Sequence, residues 1–172
     1  MRTKQALRQT ADAARRTRPC PNLDKALTEL ISGAHRVAAY LPIGTEPTVT
    51  VRPGWLLPVV TDDDDLDWAE YVPGELIVRR GVQEPTGPLL GRAALSECDL
   101  VLVPALLVDR TGVRLGKGGG CYDRALPRAR GLTVAVIGDG ELVDELPAEP
   151  HDVRVAAVVT PSLGVLRLPA RM

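Results

Sequence analysis

The segment Arg114–Asp123 (RLGKGGGCYD) holds the densest chemistry in the chain. Gly116, Gly118, Gly119 and Gly120 surround Lys117, at an entropic cost that a packing role alone does not justify. Glycines let backbone N–H groups converge on an anion without interference from Cβ, and the start of a following helix adds a positive end. Arg114 and Lys117 bring charge suited to phosphate oxygens. Asp123 supplies a hard oxygen ligand of the kind Mg²⁺ takes beside a nucleotide. The string is not a P-loop, because G-x-x-x-x-G-K-[ST] is absent. It is not a dinucleotide fingerprint either, because Cys121 stands where the last Gly belongs. A flexible linker would not need Arg, Lys and Asp directly after a buried strand.

Further charge lies at the N-terminus, where Arg2, Lys4, Arg8, Arg15, Arg16 and Arg18 face the single acid Asp12. Lys4 and Arg8 are spaced i, i+4 and share one helical face. Such a basic helix either holds an anion or is simply solvated. The acidic run Asp62–Asp65, with Asp67 beyond it, lacks the Gly and Glu of an EF-hand loop, and consecutive carboxylates cannot all face one ion. It is expected to be a solvated loop. His151-Asp152 and Glu46, taken alone, are an ordinary turn pair and an ordinary loop acid. Cys20, Cys98 and Cys121 form neither a disulfide framework nor a zinc pattern.

The elements that must position these residues follow from the apolar runs. The chain has 172 residues, 45% of them hydrophobic and 25% charged, which suits one globular domain spanning residues 1–172. Phe is absent and aromatics make up 3%, so Val, Leu, Ile and Ala must build the core. Lys4–Arg18 and Leu23–Ile31 read as helices, stopped by Pro19 and by Ser32-Gly33. Arg36–Leu41, Trp55–Val60, Leu76–Val78, Leu100–Leu107, Thr133–Ile137 and Val155–Thr160 read as strands. Leu100–Leu107 is apolar throughout, as a strand covered on both faces must be, with Pro104 at a bulge or strand end. The alternation predicts a single three-layer α/β/α domain with a mostly parallel sheet. A net charge of −1 argues against nucleic-acid or membrane partners. No apolar run approaches the ~18 residues of a membrane span, and the N-terminus has no signal-peptide core, so a cytoplasmic location is expected.

DRTGVRLGKGGGCYDR resembles the signature of the 5-formyltetrahydrofolate cyclo-ligases, also called methenyltetrahydrofolate synthetases. KQALR at Lys4–Arg8, VAAYLPIGTE at Val37–Glu46, Gln83-Glu84-Pro85 and LPAEPHDVRVAAVVT at Leu146–Thr160 are similar to further family segments, in the family order. The resemblance implies conversion of 5-formyltetrahydrofolate to 5,10-methenyltetrahydrofolate, with ATP split to ADP and phosphate, by a monomer. It implies that Lys4 and Arg8 reach the ATP phosphates and that Arg114, Gly116, Lys117, Gly118, Gly119, Gly120, Cys121 and Tyr122 wrap the nucleotide. Arg114 and Lys117 would act on the reacting phosphate. Lys117, Gly118, Gly119, Gly120 and Cys121 would also border the folate, with Leu41 and Glu46 against its pterin. Asp123 and Asp152 would hold Mg²⁺.

Three departures from the family pattern bear on that expectation. The family shows two aromatics before the loop Asp, and here the first is Cys121, which reduces the enclosing surface beside the folate. The link between Pro42 and Trp55 is short and carries Pro47 and Pro53, so the family's helix after the acidic position is expected to be missing. Pro127 is expected to shorten any helix begun at Tyr122. The alternative these features suggest is a catalytically impaired relative that binds nucleotide or folate without turnover.

Overall fold

In the computed structural model the aliphatic runs pair edge to edge. The structure describes residues 1–169, so the last three residues of the expected 1–172 domain lie outside the described residues. In chain order the elements are α1 (Lys4–Arg16), α2 (Asp24–Gly33), β1 (Val37–Ala38), β2 (Leu56–Val60), β3 (Leu66–Glu70), β4 (Leu76–Arg79) and β5 (Val82–Pro85). They continue as β6 (Leu100–Pro104), β7 (Leu107–Asp109), β8 (Arg114–Leu115), α3 (Cys121–Ala125), β9 (Leu132–Val136), β10 (Leu142–Val143), β11 (Ala157–Thr160) and β12 (Gly164–Arg167). The main sheet has seven strands in the order β12-β11-β9-β6-β1-β2-β3. Strands β11, β9, β6, β1 and β2 run parallel, and an antiparallel strand closes each edge.

Alternation along the strands sorts the core into two faces. Leu100, Leu102, Val134, Val136 and Val159 pack with Leu23, Leu27 and Ile31 of the α2 segment. Val101, Val103, Ala38 and Leu56 turn the other way and pack with Trp68, Leu95, Ala125 and Leu126. The second helical layer is thin. It consists of the five-residue α3 and two 3₁₀ turns, Arg92–Glu97 and Leu126–Arg128. Pro127 in the second of these turns ends α3, as its position in the sequence implied.

Several expected strands are corrected. The run Arg36–Leu41 contributes only Val37–Ala38, because the chain turns away into the crossover to β2. Leu100–Leu107 is divided. β6 stops at Pro104, which has no N–H to offer a neighbour, and Leu107–Asp109 joins a separate three-stranded sheet with β8 and β10. Leu76–Val78 is a strand as expected, and the Gln83-Glu84-Pro85 segment is its partner. They pair as the hairpin β4–β5. The missing helix holds: β1 and β2 are parallel neighbours, yet the chain between them contains no helix.

The acidic run is also corrected at one position. Asp62, Asp63 and Asp64 are exposed, but Asp65 is 5% exposed. Its carboxylate accepts from Arg128 Nη1 and Nη2 at 2.8 and 2.6 Å and from Arg92 Nη1 at 3.1 Å. The Arg128 hydrogen bonds, with the Leu66 N–H and Arg92, hold the Asp65 carboxyl well below the usual carboxylate range against the opposing effect of burial. A carboxyl depressed by folding stabilises above its unfolded value of 3.8, and that contribution is lost as pH falls below it. Asp65→Asn is therefore expected to cost about 2 kcal/mol at pH 7 in urea denaturation. The gap from the parent protein should close as the titration is repeated down to acid pH; a gap that stays constant would contradict the assignment.

Candidate active site

The sheet changes direction at β1. From β1 the chain steps to β2 and β3 on one side, then returns to lay β6, β9 and β11 on the other. In open parallel sheets the crevice beyond the strand C-termini at such a switch point is the place where ligands bind. A cavity of about 670 Å³ opens there. Tyr40 and Leu41 beyond β1, Pro58 and Val60 of β2, and Pro104, Ala105 and Leu106 at the end of β6 line its floor. The loop after β8 and the face of α1 complete the wall.

Every site residue expected from the sequence lines this cavity except Asp152. Thr3 caps α1 by accepting the Ala6 N–H at 3.1 Å. Lys4 then sits in the first turn, where the helix dipole disfavours a cation. It is held instead by Asp152 at 3.1 Å and Glu149 at 3.4 Å. Asp152 thus stands behind Lys4. Burial raises its carboxyl, but the Glu149 N–H and Lys4 outweigh burial and keep it below the ordinary value. One turn on, Arg8 Nε donates to the Gly116 carbonyl at 2.8 Å, which ties α1 to the glycine loop.

Within the loop, Gly118 and Gly120 adopt positive φ of 107° and 76°, a region that favours glycine. A Cβ at Gly116 would lie 2.7 Å from Arg114 Nη1, so close approach fixes that glycine too. Gly119 has neither constraint and meets only Cys121 Sγ at 3.9 Å, which leaves its backbone open toward the cavity. Lys117 is half exposed and reaches Glu46 at 3.3 Å. The Arg114 side chain is 6% exposed, donates to the Pro104 carbonyl at 3.0 Å, lies 5.5 Å from the Tyr122 ring centroid and pairs with Asp123 at 3.6 Å. Burial pushes the Arg114 guanidinium down, partly opposed by Asp123. Cys121 is half-buried against the α3 core cluster and burial raises its thiol, so it behaves as a small apolar side chain. Asp123 is 28% exposed and neutralises a buried arginine. Among the described residues no three acidic, His or Cys side chains cluster as a metal cage.

Glu46 is 5% exposed in the helix-free crossover and lies in the cavity wall. Burial pushes its carboxyl above the usual range, and Lys117 only partly offsets this. Residues not expected in the site also line the cavity, among them Tyr40, Gln83, Glu149 and His151. Arg15 is the most informative of these. It was legible only as one of several N-terminal arginines, yet its spacing continues the Lys4, Arg8 face by two further turns.

The protein is thus an α/β domain with an anion-suited glycine loop and a cationic helix facing one switch-point cavity. The chain belongs to the 5-formyltetrahydrofolate cyclo-ligase family, whose model matches residues 2–161. It is 43% identical over 154 residues to the 5-formyltetrahydrofolate cyclo-ligase of Mycolicibacterium smegmatis, an alignment covering 80% of this chain and 79% of that one. The cyclo-ligase of Escherichia coli is 35% identical over 144 residues, covering 75% and 79%. The NMR structure of Aquifex aeolicus 5,10-methenyltetrahydrofolate synthetase superposes with a TM-score of 0.74 at 25% identity, covering 98% of this chain and 94% of its own. The Mycoplasma pneumoniae enzyme shares the fold with a TM-score of 0.69 at 20% identity, covering 91% and 98%.

A buried carboxylate with a raised pKa weakens the fold at neutral pH. Glu46→Gln is expected to raise stability by about 0.5–1 kcal/mol at pH 7, as removal of site residues often does. The gain should be full above the raised pKa of Glu46 and vanish below its unfolded value of 4.5, where both side chains are neutral. Thermal melts of the two proteins across that range check the sign; a gain that persists in acid would remove burial of charge as the cause.

Proposed function

We propose that the chain converts 5-formyltetrahydrofolate to 5,10-methenyltetrahydrofolate with cleavage of ATP to ADP and phosphate. The observation that carries this reading is the convergence of the family's motif residues from α1, the crossover and the glycine loop on one cavity. The formyl oxygen attacks the γ-phosphorus, forming one P–O bond while the bond to ADP breaks. N10 then attacks the formyl carbon, its proton passes to solvent, and phosphate leaves with the formyl oxygen. Such a reaction asks the protein mainly to align two substrates and neutralise growing phosphate charge.

Lys4, Arg8, Arg114 and Lys117 supply that charge, and the backbone of Gly116, Gly118, Gly119 and Gly120, with Cys121 and Tyr122, wraps the nucleotide. Lys117, already beside Glu46, stands between the two substrates together with Gly118, Gly119, Gly120 and Cys121. Leu41 and Glu46 take the pterin, with the Glu46 carboxylate accepting paired N–H groups of the ring. Asp123 and Asp152 are the carboxylates we assign to Mg²⁺ brought in by ATP; Asp123 lines the cavity, whereas Asp152 stands behind Lys4 and would have to exchange that partner for the ion, and Mg²⁺ commonly needs only one or two carboxylates beside the phosphates. Bound there, Mg²⁺ would neutralise phosphate charge. We place the protein as a single-domain cytoplasmic monomer whose partners are ATP and a reduced folate, without nucleic acid or membrane. Among the described residues no helix is long and apolar enough to cross a membrane. The impaired-relative reading gains no support, because the helix-free crossover still delivers Leu41 and Glu46 to the cavity.

The test is ATP- and Mg²⁺-dependent growth of methenyltetrahydrofolate absorbance from 5-formyltetrahydrofolate; well-folded protein without turnover rejects the proposal. Lys117→Ala is expected to lower turnover by about 10²-fold or more, at a stability cost of about 1 kcal/mol, since it strips the buried Glu46 of its partner. Asp123→Asn should also suppress turnover, at a similar stability cost, since it strips a buried arginine of its partner.

A further inference from the structure

Arg15 is the one cation of α1 that is fully inside the protein. It is 5% exposed, and its guanidinium is gripped on two sides. Nε and Nη2 donate to the Glu141 carboxylate at 2.8 and 2.9 Å, and Nη2 also donates to the Ala105 carbonyl at 2.5 Å. The remaining nitrogen, Nη1, is buried and has no hydrogen-bond partner among the described residues. A buried N–H group left unpaired costs on the order of 1–3 kcal/mol, so an intact protein that keeps one has a reason to. Arg15 also lines the cavity, alongside Tyr40, Leu41, Glu46, Ala105 and Leu106.

These neighbours decide what kind of acceptor Nη1 faces. Glu141 already neutralises the guanidinium, so Arg15 brings a fixed donor and little net charge. The cations assigned to phosphate are Lys4, Arg8, Arg114 and Lys117; Arg114 and Lys117 belong to the glycine loop and its approach, and Arg8 is tied to Gly116. Leu41, Ala105 and Leu106 give the cavity apolar wall, the Tyr40 hydroxyl is committed to the Pro47 carbonyl at 2.7 Å, and Glu46 is paired with Lys117 at 3.3 Å. Arg15 and Glu46 both line this one cavity. A neutral carbonyl oxygen on the ligand edge that Glu46 holds fits this donor best.

We infer that Arg15 is a substrate-binding residue whose Nη1 donates to the C4 carbonyl oxygen of the pterin, next to the N–H groups taken by Glu46. The pair then reads one ring edge as a pattern, acceptor beside donor, and discriminates a 4-oxo pterin from one that carries an amino group there. This rests on the proposed folate activity and on the assignment of the pterin to Glu46.

The test compares Arg15→Lys, which keeps a cation for Glu141 but removes the second nitrogen of the fork, with the parent protein. The probes are 5-formyltetrahydrofolate and its 4-amino counterpart. Arg15→Lys is expected to raise KM for the 4-oxo substrate by about tenfold while KM for ATP moves by less than about twofold. The preference of the parent protein for the 4-oxo over the 4-amino compound should shrink by a similar factor, a change that a purely structural role would not produce. If Arg15→Lys fails to give a cooperative thermal melt, Arg15→Gln, which keeps one amide N–H₂ for Glu141, is read by the same comparison. An unchanged 4-oxo preference, or KM values for ATP and folate that rise together, overturns the inference. If the parent protein binds 5-formyltetrahydrofolate without turning it over, the activity proposal fails alone, and equilibrium binding of the two probes decides the role of Arg15. A parent protein that binds neither compound overturns both.

Discussion

The N-terminal helix stays on the sheet through a buried ion pair. Of the thirteen residues of α1 only Ala11 and Arg15 are buried, so the helix has almost no apolar face with which to dock. Leu7 adds a partial contact with Val113, Leu115 and Leu146. What holds the far end is the two-pronged bond of Arg15 to Glu141, supported by the Ala105 carbonyl. Glu141 is itself fixed, since its carboxylate accepts the Gly138 N–H at 2.6 Å. Removing one member of such a pair leaves a buried charge unmatched and costs several kcal/mol. Arg8 and Lys4 lie on the same face about two and three turns away, and ties of their own, to the Gly116 carbonyl and to Asp152, hold them beside the glycine loop. Polar docking also leaves this face rich in donors where the cavity needs them.

The cavity in turn depends on strands that stop early. β1 pairs with β2 only at Ala38 and Leu56, so beyond that point the two strands part. Pro58 falls where β2 has lost β1 as a neighbour, and it keeps its antiparallel partner Trp68 on the other side. Its missing N–H therefore costs no ladder bond there. Pro104 closes β6 in the same way and offers its carbonyl to Arg114. Two prolines in apolar strand sequences thus mark the rim of the site.

This explains what could be read in the sequence and what could not. The glycine loop was legible because its chemistry is contiguous, and the aliphatic runs were legible because a chain without Phe has few other ways to build a core. Strand lengths were less so: nothing within Arg36–Leu41 says that pairing ends at Ala38, because the ending is set by neighbours distant in the chain. Buried charge was the least legible. Asp65 looked like one acid among several until Arg128 was brought to it across 63 residues. Arg15 looked like one arginine among several because Glu141 lies 126 residues away. The helical face shared by Lys4, Arg8, Ala11 and Arg15 was available as a pattern, but its meaning lies in partners that only the fold supplies.

The crossover between β1 and β2 shows how the site survives without its helix. Residues 39–55 are ordered by hydrogen bonds to the start of α2 in place of helical ones. Leu23 N–H donates to the Thr48 carbonyl at 2.9 Å and Thr48 N–H to the Pro21 carbonyl at 2.8 Å. Asp24 accepts from both the N–H and the hydroxyl of Thr50, at 2.8 and 2.6 Å. Tyr40 spans the bend to the Pro47 carbonyl. A short loop carries a smaller closure entropy than a long one, and prolines at compatible positions lower the entropy of the unfolded chain further. Pro47 and Pro53, which rule out a helix here, thus favour a single loop path. Glu46 sits between the Tyr40 anchor and the Thr48 bridge on that path. Its carboxylate is held at the cavity by a tethered loop, the service a helix would have performed, and the constraint on this segment is therefore the position of one acid and not a secondary structure.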